Sequence, residues 1–282
     1  MSFDILTYGF MQRAIVSGIA ISLMCSLIGL FLVLRKQSLF GDALAHAAFG
    51  GIAAGLYLGI YPLWTAFAVS VSSALALAKI RQKFQISSDA TIAILLSSGL
   101  AMGVILISMA KGFTVDIFSF LFGSILLVSL QNTLLILSLC GTILVIILLL
   151  YRRMVYATFS EEQAKVSGIP VDKLNYLFVV IAAIAVVSSM QLVGILLTSS
   201  LIVIPNVTAI LYSRGFKQTA ILSMCFAVFS AIVGILSSYV LNVAPGGMIV
   251  LLSIIIFGIS LGIKSLRTRN KFIIKTTTNP KI

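Results

Sequence analysis

The chain has 282 residues, of which 60% are hydrophobic and only 9% are charged, and its mean hydropathy is +1.19. Soluble domains carry about a quarter charged residues, so this composition excludes a soluble domain and predicts an all-α, polytopic membrane helical bundle. The three cysteines are far apart in apolar segments, which favours small core residues over a disulfide or a metal cluster.

Apolar stretches long enough to cross a bilayer, which takes roughly 17–25 residues, recur along the whole chain. Nine are candidate spans: 14–34, 41–60, 62–79, 90–110, 132–150, 174–190, 192–212, 217–241 and 246–263. The stretch 118–128 is too short to span, so we expect a re-entrant or interfacial helix that Asp116 caps. The predicted bundle therefore has eight to nine transmembrane helices within 1–264. A basic and disordered cytoplasmic tail is expected over 265–282.

The net charge of +12 would suggest nucleic acid in a soluble protein, but its distribution indicates topology. With the N-terminus outside and the C-terminus inside, 17 of the 19 lysines and arginines lie on the inner side. Only Arg13 and Lys111 remain outside. The first span has no basic segment before it and is too long for a cleaved signal, so it is predicted to be retained.

Asp42 and the chain's only histidine, His46, are the most informative ionisable pair. On a helix, residues four positions apart share one face, so a carboxylate and an imidazole would converge there. Such a pair can bind a divalent metal ion, and within a membrane it marks a functional site by default. The alternative is structural: Asp42 caps the second helix and His46 is hydrogen-bonded inside the bundle.

The largest inner loop predicts a short cytoplasmic helix at about 161–167. Ser160 to Gln163 form a capping-box pattern, and Gly168 and Pro170 supply a stop and a new start. The helix is either a structural connector or a rigid element that docks into a separate ATPase. No Gly-x-x-x-x-Gly-Lys-Ser/Thr loop is present, so any ATP would be bound by another chain.

Three smaller features are also predicted. Ser88 or Asp89 should cap the span that follows them. Pro205-Asn206 should bend its helix, because proline leaves a carbonyl one turn back without its donor. Small residues at 50–55 should permit close helix packing around the second span, within the chain or across a dimer axis.

The run from Leu34 to Ala47, Leu-Arg-Lys-Gln-Ser-Leu-Phe-Gly-Asp-Ala-Leu-Ala-His-Ala, resembles the signature of the zinc/manganese class of ABC importer permeases. Segments 88–94, 122–126 and 191–209 resemble further parts of that class in the same order. The resemblance covers nearly the whole chain up to about Lys264. One departure is Asn206, where a small residue such as Ala is expected after the proline.

The resemblance implies a permease in the cell membrane that imports Zn²⁺ or Mn²⁺, with Fe²⁺ as a further alternative, and that is not itself an enzyme. It implies no permanently bound cofactor, since the metal is cargo. It also implies a homodimer, two cytoplasmic ATP-binding subunits and an external metal-binding protein. Asp42 and His46 would line the metal path. The coupling helix would comprise Ser160, Glu161, Glu162, Gln163, Ala164, Lys165, Val166, Ser167 and Gly168. A gradient-driven transporter or channel acting alone is the alternative, although it would usually carry more carboxylates within the membrane.

Overall fold

The computed structural model describes residues 8–84, 86–109, 117–124, 129–212 and 215–277, and the side chains of 119–124 and of those up to 266 in the last helix. These ranges contain helices and no strands, as the composition predicts. There are eleven helices: α1 Gly9–Leu34, α2 Phe40–Leu58, α3 Pro62–Phe84, α4 Ser88–Met109, α5 Ile117–Phe122, α6 Leu130–Phe159, α7 Glu161–Val166, α8 Val171–Val193, α9 Ile195–Ile210, α10 Phe216–Leu241 and α11 Pro245–Thr277.

Seven of the described helices are long and apolar enough to cross a membrane, namely α1, α3, α4, α6, α8, α10 and α11. Helix α9 is apolar but has only 16 residues. Helix α2 has 19 residues and carries Asp42 in its first turn. The predicted count of eight to nine spans is therefore not confirmed, and the orientation of the termini stays a prediction.

Helices α1 and α8 lie in the middle of the bundle. In each of them 72% of the most apolar window is buried, against 28% in α3, α4, α6 and α11. Phe31 and Phe178 are fully buried where these two helices meet, with ring centroids 6.0 Å apart in an edge-to-face arrangement. The outer helices therefore present most of their apolar surface outward, as a lipid environment requires.

The short helix predicted within 118–128 is present as the six residues of α5. It lies against the break between α8 and α9, where Gly194 adopts a φ of 90°. The amide of Ser124 donates to the carbonyl of Gln191 at 3.3 Å, which ties the end of α5 to the last turn of α8. Asp116 and residues 125–128 lie outside the described residues.

Two predicted helix caps differ in the structure. Helix α4 is capped by Ser87, whose Oγ accepts from the amide of Ala90 at 3.3 Å, and neither Ser88 nor Asp89 makes this bond. Ser160 ends α6 and directly precedes α7, but its side chain makes no capping hydrogen bond to α7. The last helix continues to Thr277, past the expected domain end at 264.

Candidate metal-transit site

Helix α2 carries the candidate site and is enclosed by other helices of the same chain. Gly51 lies so close to α3 that a Cβ there would stand 2.7 Å from the Cα of Ala66. On another side, a Cβ on Gly99 of α4 would stand 2.6 Å from the carbonyl carbon of His46. The small residues of α2 are therefore used for packing within one chain.

Asp42 and His46 project from the first two turns of α2. His46 Nε2 lies 4.0 Å from Asp42 Oδ1, and the two side chains are 14% and 27% exposed. That distance is too long for a hydrogen bond, so the Asp42 carboxylate does not accept one from the imidazole of His46. The predicted convergence of the two groups on one face is present.

In the structural alternative, Asp42 would cap α2 and His46 would be hydrogen-bonded inside the bundle. The described residues do not form these hydrogen bonds. His46 Nδ1 is buried without a hydrogen-bond partner. Helix α2 starts after Leu39, which makes no side-chain cap, and Asp42 lies inside the first turn. A buried imidazole nitrogen without a partner is uncommon, and a ligand is one explanation for it.

The site is incomplete as a metal cage within one chain. The described residues contain no group of three or more His, Cys, Asp or Glu side chains placed to hold a metal ion. One carboxylate and one imidazole would supply at most two ligands to a metal ion, and further coordination would have to come from water, backbone carbonyls or another chain. An O/N donor pair of this kind suits Zn²⁺, Mn²⁺ or Fe²⁺, and weak coordination suits an ion that must leave again.

The link between α1 and α2 is tight. Lys36 adopts a φ of 57°, and the amide of Gln37 donates to the carbonyl of Leu32 at 2.9 Å. Residues 35–39 thus separate the end of α1 from the start of α2 at Phe40.

Pro205 and Asn206 lie inside α9, and both are buried. Asn206 Nδ2 donates to the carbonyl of Ile202 at 2.6 Å, one turn back. Its Oδ1 accepts from Ser223 Oγ of α10 at 2.7 Å, and Ser223 is also 2.7 Å from Ser26 Oγ of α1. Asn206, which departs from the family pattern, thus takes part in a polar contact that joins three helices.

The predicted helix at 161–167 is confirmed as α7. Ala164 is fully buried against Ala157 of α6 and Val171 of α8. Lys165 pairs with Glu161 at 3.4 Å and with Asp172 of α8 at 3.9 Å. On the other face Val166 is 89% exposed, which is unusual for a β-branched apolar side chain.

Two residues near these sites were not singled out from the sequence. Gly99 contacts the backbone at His46, and a lone glycine inside an apolar span gives no signal for such a contact. Arg35 is half-buried, and its Nε and Nη1 donate to Thr158 and Asn175. Because Arg35 directly follows an apolar span, a structural role for its side chain could have been predicted in addition to its effect on topology.

The chain is similar to known membrane transport proteins. Residues 7–264 match the ABC 3 transport family. The manganese import system permease protein ScaB of Streptococcus parasanguinis is 35% identical and aligned over 94% of both chains. The manganese transport system membrane protein MntC of Halalkalibacterium halodurans is 33% identical over 91% of this chain and 88% of its own length.

A solved structure of PsaBC from Streptococcus pneumoniae in complex with Fab has a TM-score of 0.81 and 33% identity, covering 91% of this chain and 92% of that one. The comparison matches one chain with one chain and gives no support to the predicted homodimer. These matches, together with the seven apolar helices, define a multi-pass membrane subunit of a transporter. They indicate no enzyme activity for it. It belongs to the ABC 3 transport family.

Proposed function

We propose that this chain is the permease subunit of an ATP-driven importer of divalent transition-metal ions, with Asp42 and His46 as ligands on the metal path. The observation that carries the proposal is the half-buried Asp42–His46 pair, which has an unpartnered imidazole nitrogen, in a chain of the ABC 3 transport family. A transit site needs ligands that are not already satisfied by the protein, and this pair meets that condition.

Mn²⁺ is the first candidate cargo, followed by Zn²⁺ and then Fe²⁺. Two relatives at 33% and 35% identity are named as manganese transport proteins, which supports this order. The donor set also favours a labile ion, because a carboxylate oxygen and one imidazole lack the thiolates that hold zinc tightly. An external metal-binding protein would deliver the ion.

Helix α7 is the proposed contact with two cytoplasmic ATP-binding subunits. Its inner face is fixed by Ala164 and by the ion pairs of Lys165, so it can transmit a displacement to α6 and α8. Its exposed Val166 offers an apolar contact to a partner groove. Movement of α7 would then change which side the metal path faces.

Uptake of radioactive Mn²⁺ by cells that lack their own importer tests the metal site. We expect Asp42→Asn and His46→Gln to reduce uptake at least tenfold, while both variants still assemble. Asp89→Asn is the matched control, because Asp89 is an exposed carboxylate at the start of α4. Uptake by either site variant at the level of this control would refute the role of the pair.

Co-purification separates the proposal from a transporter that acts alone. We expect the chain to bring down an ATPase, and Val166→Asp to lose it without a change in thermal stability. Glu162→Gln, another change at an exposed position of α7, should retain the ATPase. A functional importer that purifies and transports without any ATPase would contradict the coupling role of α7.

A further inference from the structure

A polar cleft of about 480 Å³ lies where the end of α1 meets α3, α6, α7 and α8. Its walls include Arg35, Arg81, Glu161, Lys165 and Asp172, but neither Asp42 nor His46. The cleft is therefore distinct from the candidate metal site, and nothing in the proposed metal path uses its charges.

The Arg35 guanidinium is built into the wall of this cleft. Its Nε donates to Thr158 Oγ1 at 3.1 Å and its Nη1 donates to Asn175 Oδ1 at 2.9 Å. The guanidinium carbon also lies 4.7 Å from the centre of the Phe178 ring. These contacts fix the plane of the group and leave Nη2, which is buried and has no hydrogen-bond partner. A fixed cation with two free N–H bonds is prepared to bind an anion.

The cleft carries more positive than negative side chains, since Arg35, Arg81 and Lys165 line it together with Glu161 and Asp172. Within the described residues, Glu161 and Asp172 are paired with Lys165, and no ion pair includes Arg35 or Arg81. Burial is the main cause that lowers the pKa of Arg35, Glu161 opposes it, and the positive charge of Arg81 adds to it. Both guanidinium groups thus line one cleft, and neither is in an ion pair with its carboxylates among the described residues.

We propose that this cleft binds a phosphoryl group, held by the guanidinium groups of Arg35 and Arg81. A phosphoryl group presents several charged oxygens and can accept from two planar guanidinium groups at once, as arginine is suited to do. The volume of about 480 Å³ leaves room for a substituent attached to the phosphate. Gln37 also lines the cleft, and its Nε2 donates to Ser88 Oγ at 3.2 Å, which leaves one further N–H as a donor.

Two sources could supply the phosphoryl group. Arg35 directly follows the apolar helix α1, and Arg81 lies in the last turn of α3, so both stand where lipid headgroups are expected. A soluble phosphate compound could enter the same cleft from the aqueous side. Because Glu161 and Lys165 of α7 line the cleft, either ligand would stabilise α7 against α8. This binding does not depend on metal transport.

Thermal unfolding of the purified full-length chain in detergent tests the proposal. The probes are inorganic phosphate and dioctanoyl-phosphatidylglycerol, titrated at constant ionic strength, with dioctanoyl-phosphatidylcholine as the control lipid. We expect a saturable rise in the midpoint temperature with at least one of the first two probes. Arg81→Gln should raise the concentration needed for half of this effect about tenfold, since it removes one charge-assisted contact.

Lys83→Gln is the matched control, because it removes the same charge from the same helical turn but lies outside the cleft. It should shift the half-effect concentration less than twofold. Saturation by phosphate identifies a soluble source, and saturation by the phosphatidylglycerol alone identifies a lipid headgroup. No saturable rise with either probe, or equal shifts in the Arg81 and Lys83 variants, would overturn the proposal.

Discussion

At the level of single residues, His46 has a polar ring whose nitrogens form no hydrogen bonds with the described residues around it. Its Nδ1 is buried without a hydrogen-bond partner, and its Nε2 is 4.0 Å from Asp42. Leaving a buried polar atom unpaired costs roughly 1–3 kcal/mol. This unpaired nitrogen therefore lowers the stability of the fold, as expected for a side chain whose role is to bind a ligand.

His46→Leu should consequently separate stability from function. We expect the free energy of unfolding to stay the same or to rise by up to about 1 kcal/mol, because the orphan nitrogen is replaced by an apolar group of similar size. Metal uptake should be lost. Equilibrium unfolding in mild detergent and an uptake assay measure the two effects, and a large loss of stability would assign His46 a structural role instead.

Gly99→Ala should disturb the candidate site without changing any ligand. The added methyl would stand 2.6 Å from the amide nitrogen of Ala47 and from the carbonyl of His46, so α4 must move away from α2. Overpacking of this kind costs about 1–3 kcal/mol, and metal affinity should fall with it. In Gly141→Ala the Cβ would meet nothing within 4 Å, so that variant should be neutral or slightly more stable. Equal stability of the two variants would contradict the close packing of α2 and α4.

At the level of elements, the predicted bend in α9 coincides with a junction between helices. Asn206 accepts from Ser223 of α10, and Ser223 contacts Ser26 of α1. Hydrogen bonds between membrane helices are each worth about 0.6 kcal/mol on average, so the contact contributes modestly to stability but specifies how α1, α9 and α10 meet.

A double-mutant cycle at Asn206 and Ser223 measures this contact. We expect Asn206→Ala and Ser223→Ala each to destabilise the protein by about 1 kcal/mol, and the double variant to lose less than their sum. Ser138→Ala is a control, since Ser138 is exposed on α6 and bonds only to its own helix. Strict additivity of the two changes would show that the residues act independently.

Much of the helical content could be predicted because apolar periodicity and length are local properties. The short helix α7 was also predictable, since two acids, a positive-φ glycine and a proline mark its ends within ten residues. The cap lies at Ser87, one residue before Ser88 and two before Asp89, and all three residues have similar capping chemistry. Local sequence cannot choose among them.

The surroundings of the candidate site could not be predicted in the same way. The Asp42–His46 spacing indicates a shared face, but it does not indicate that Gly99, more than fifty positions away, would lie against His46. Nor does the sequence indicate that Asn206 would be linked to Ser26 through Ser223. Contacts between distant helices depend on the assembled bundle, and a sequence pattern records only one side of each contact.

At the level of the whole molecule, the charge distribution predicts a defined orientation that labelling can test. In a Cys225→Ser background the two remaining cysteines are buried, so an introduced thiol is the only reactive one among the described residues. We expect Val243→Cys, between α10 and α11, to react with a membrane-impermeant maleimide on intact cells. Ser167→Cys, after α7, should react only when the cells are opened, and the reverse pattern would invert the predicted topology.

The enclosure of α2 between α3 and α4 also has a consequence for how the chain is made. An aspartate in a membrane helix costs free energy during insertion, up to roughly 2.5–3.5 kcal/mol at the helix centre, and α2 carries the polar ring of His46 as well as Asp42. Helices α3 and α4, which pack closely against α2, are synthesised directly after it. We therefore expect α2 to enter the lipid bilayer together with α3 and α4 as one unit, once the ribosome has passed residue 109.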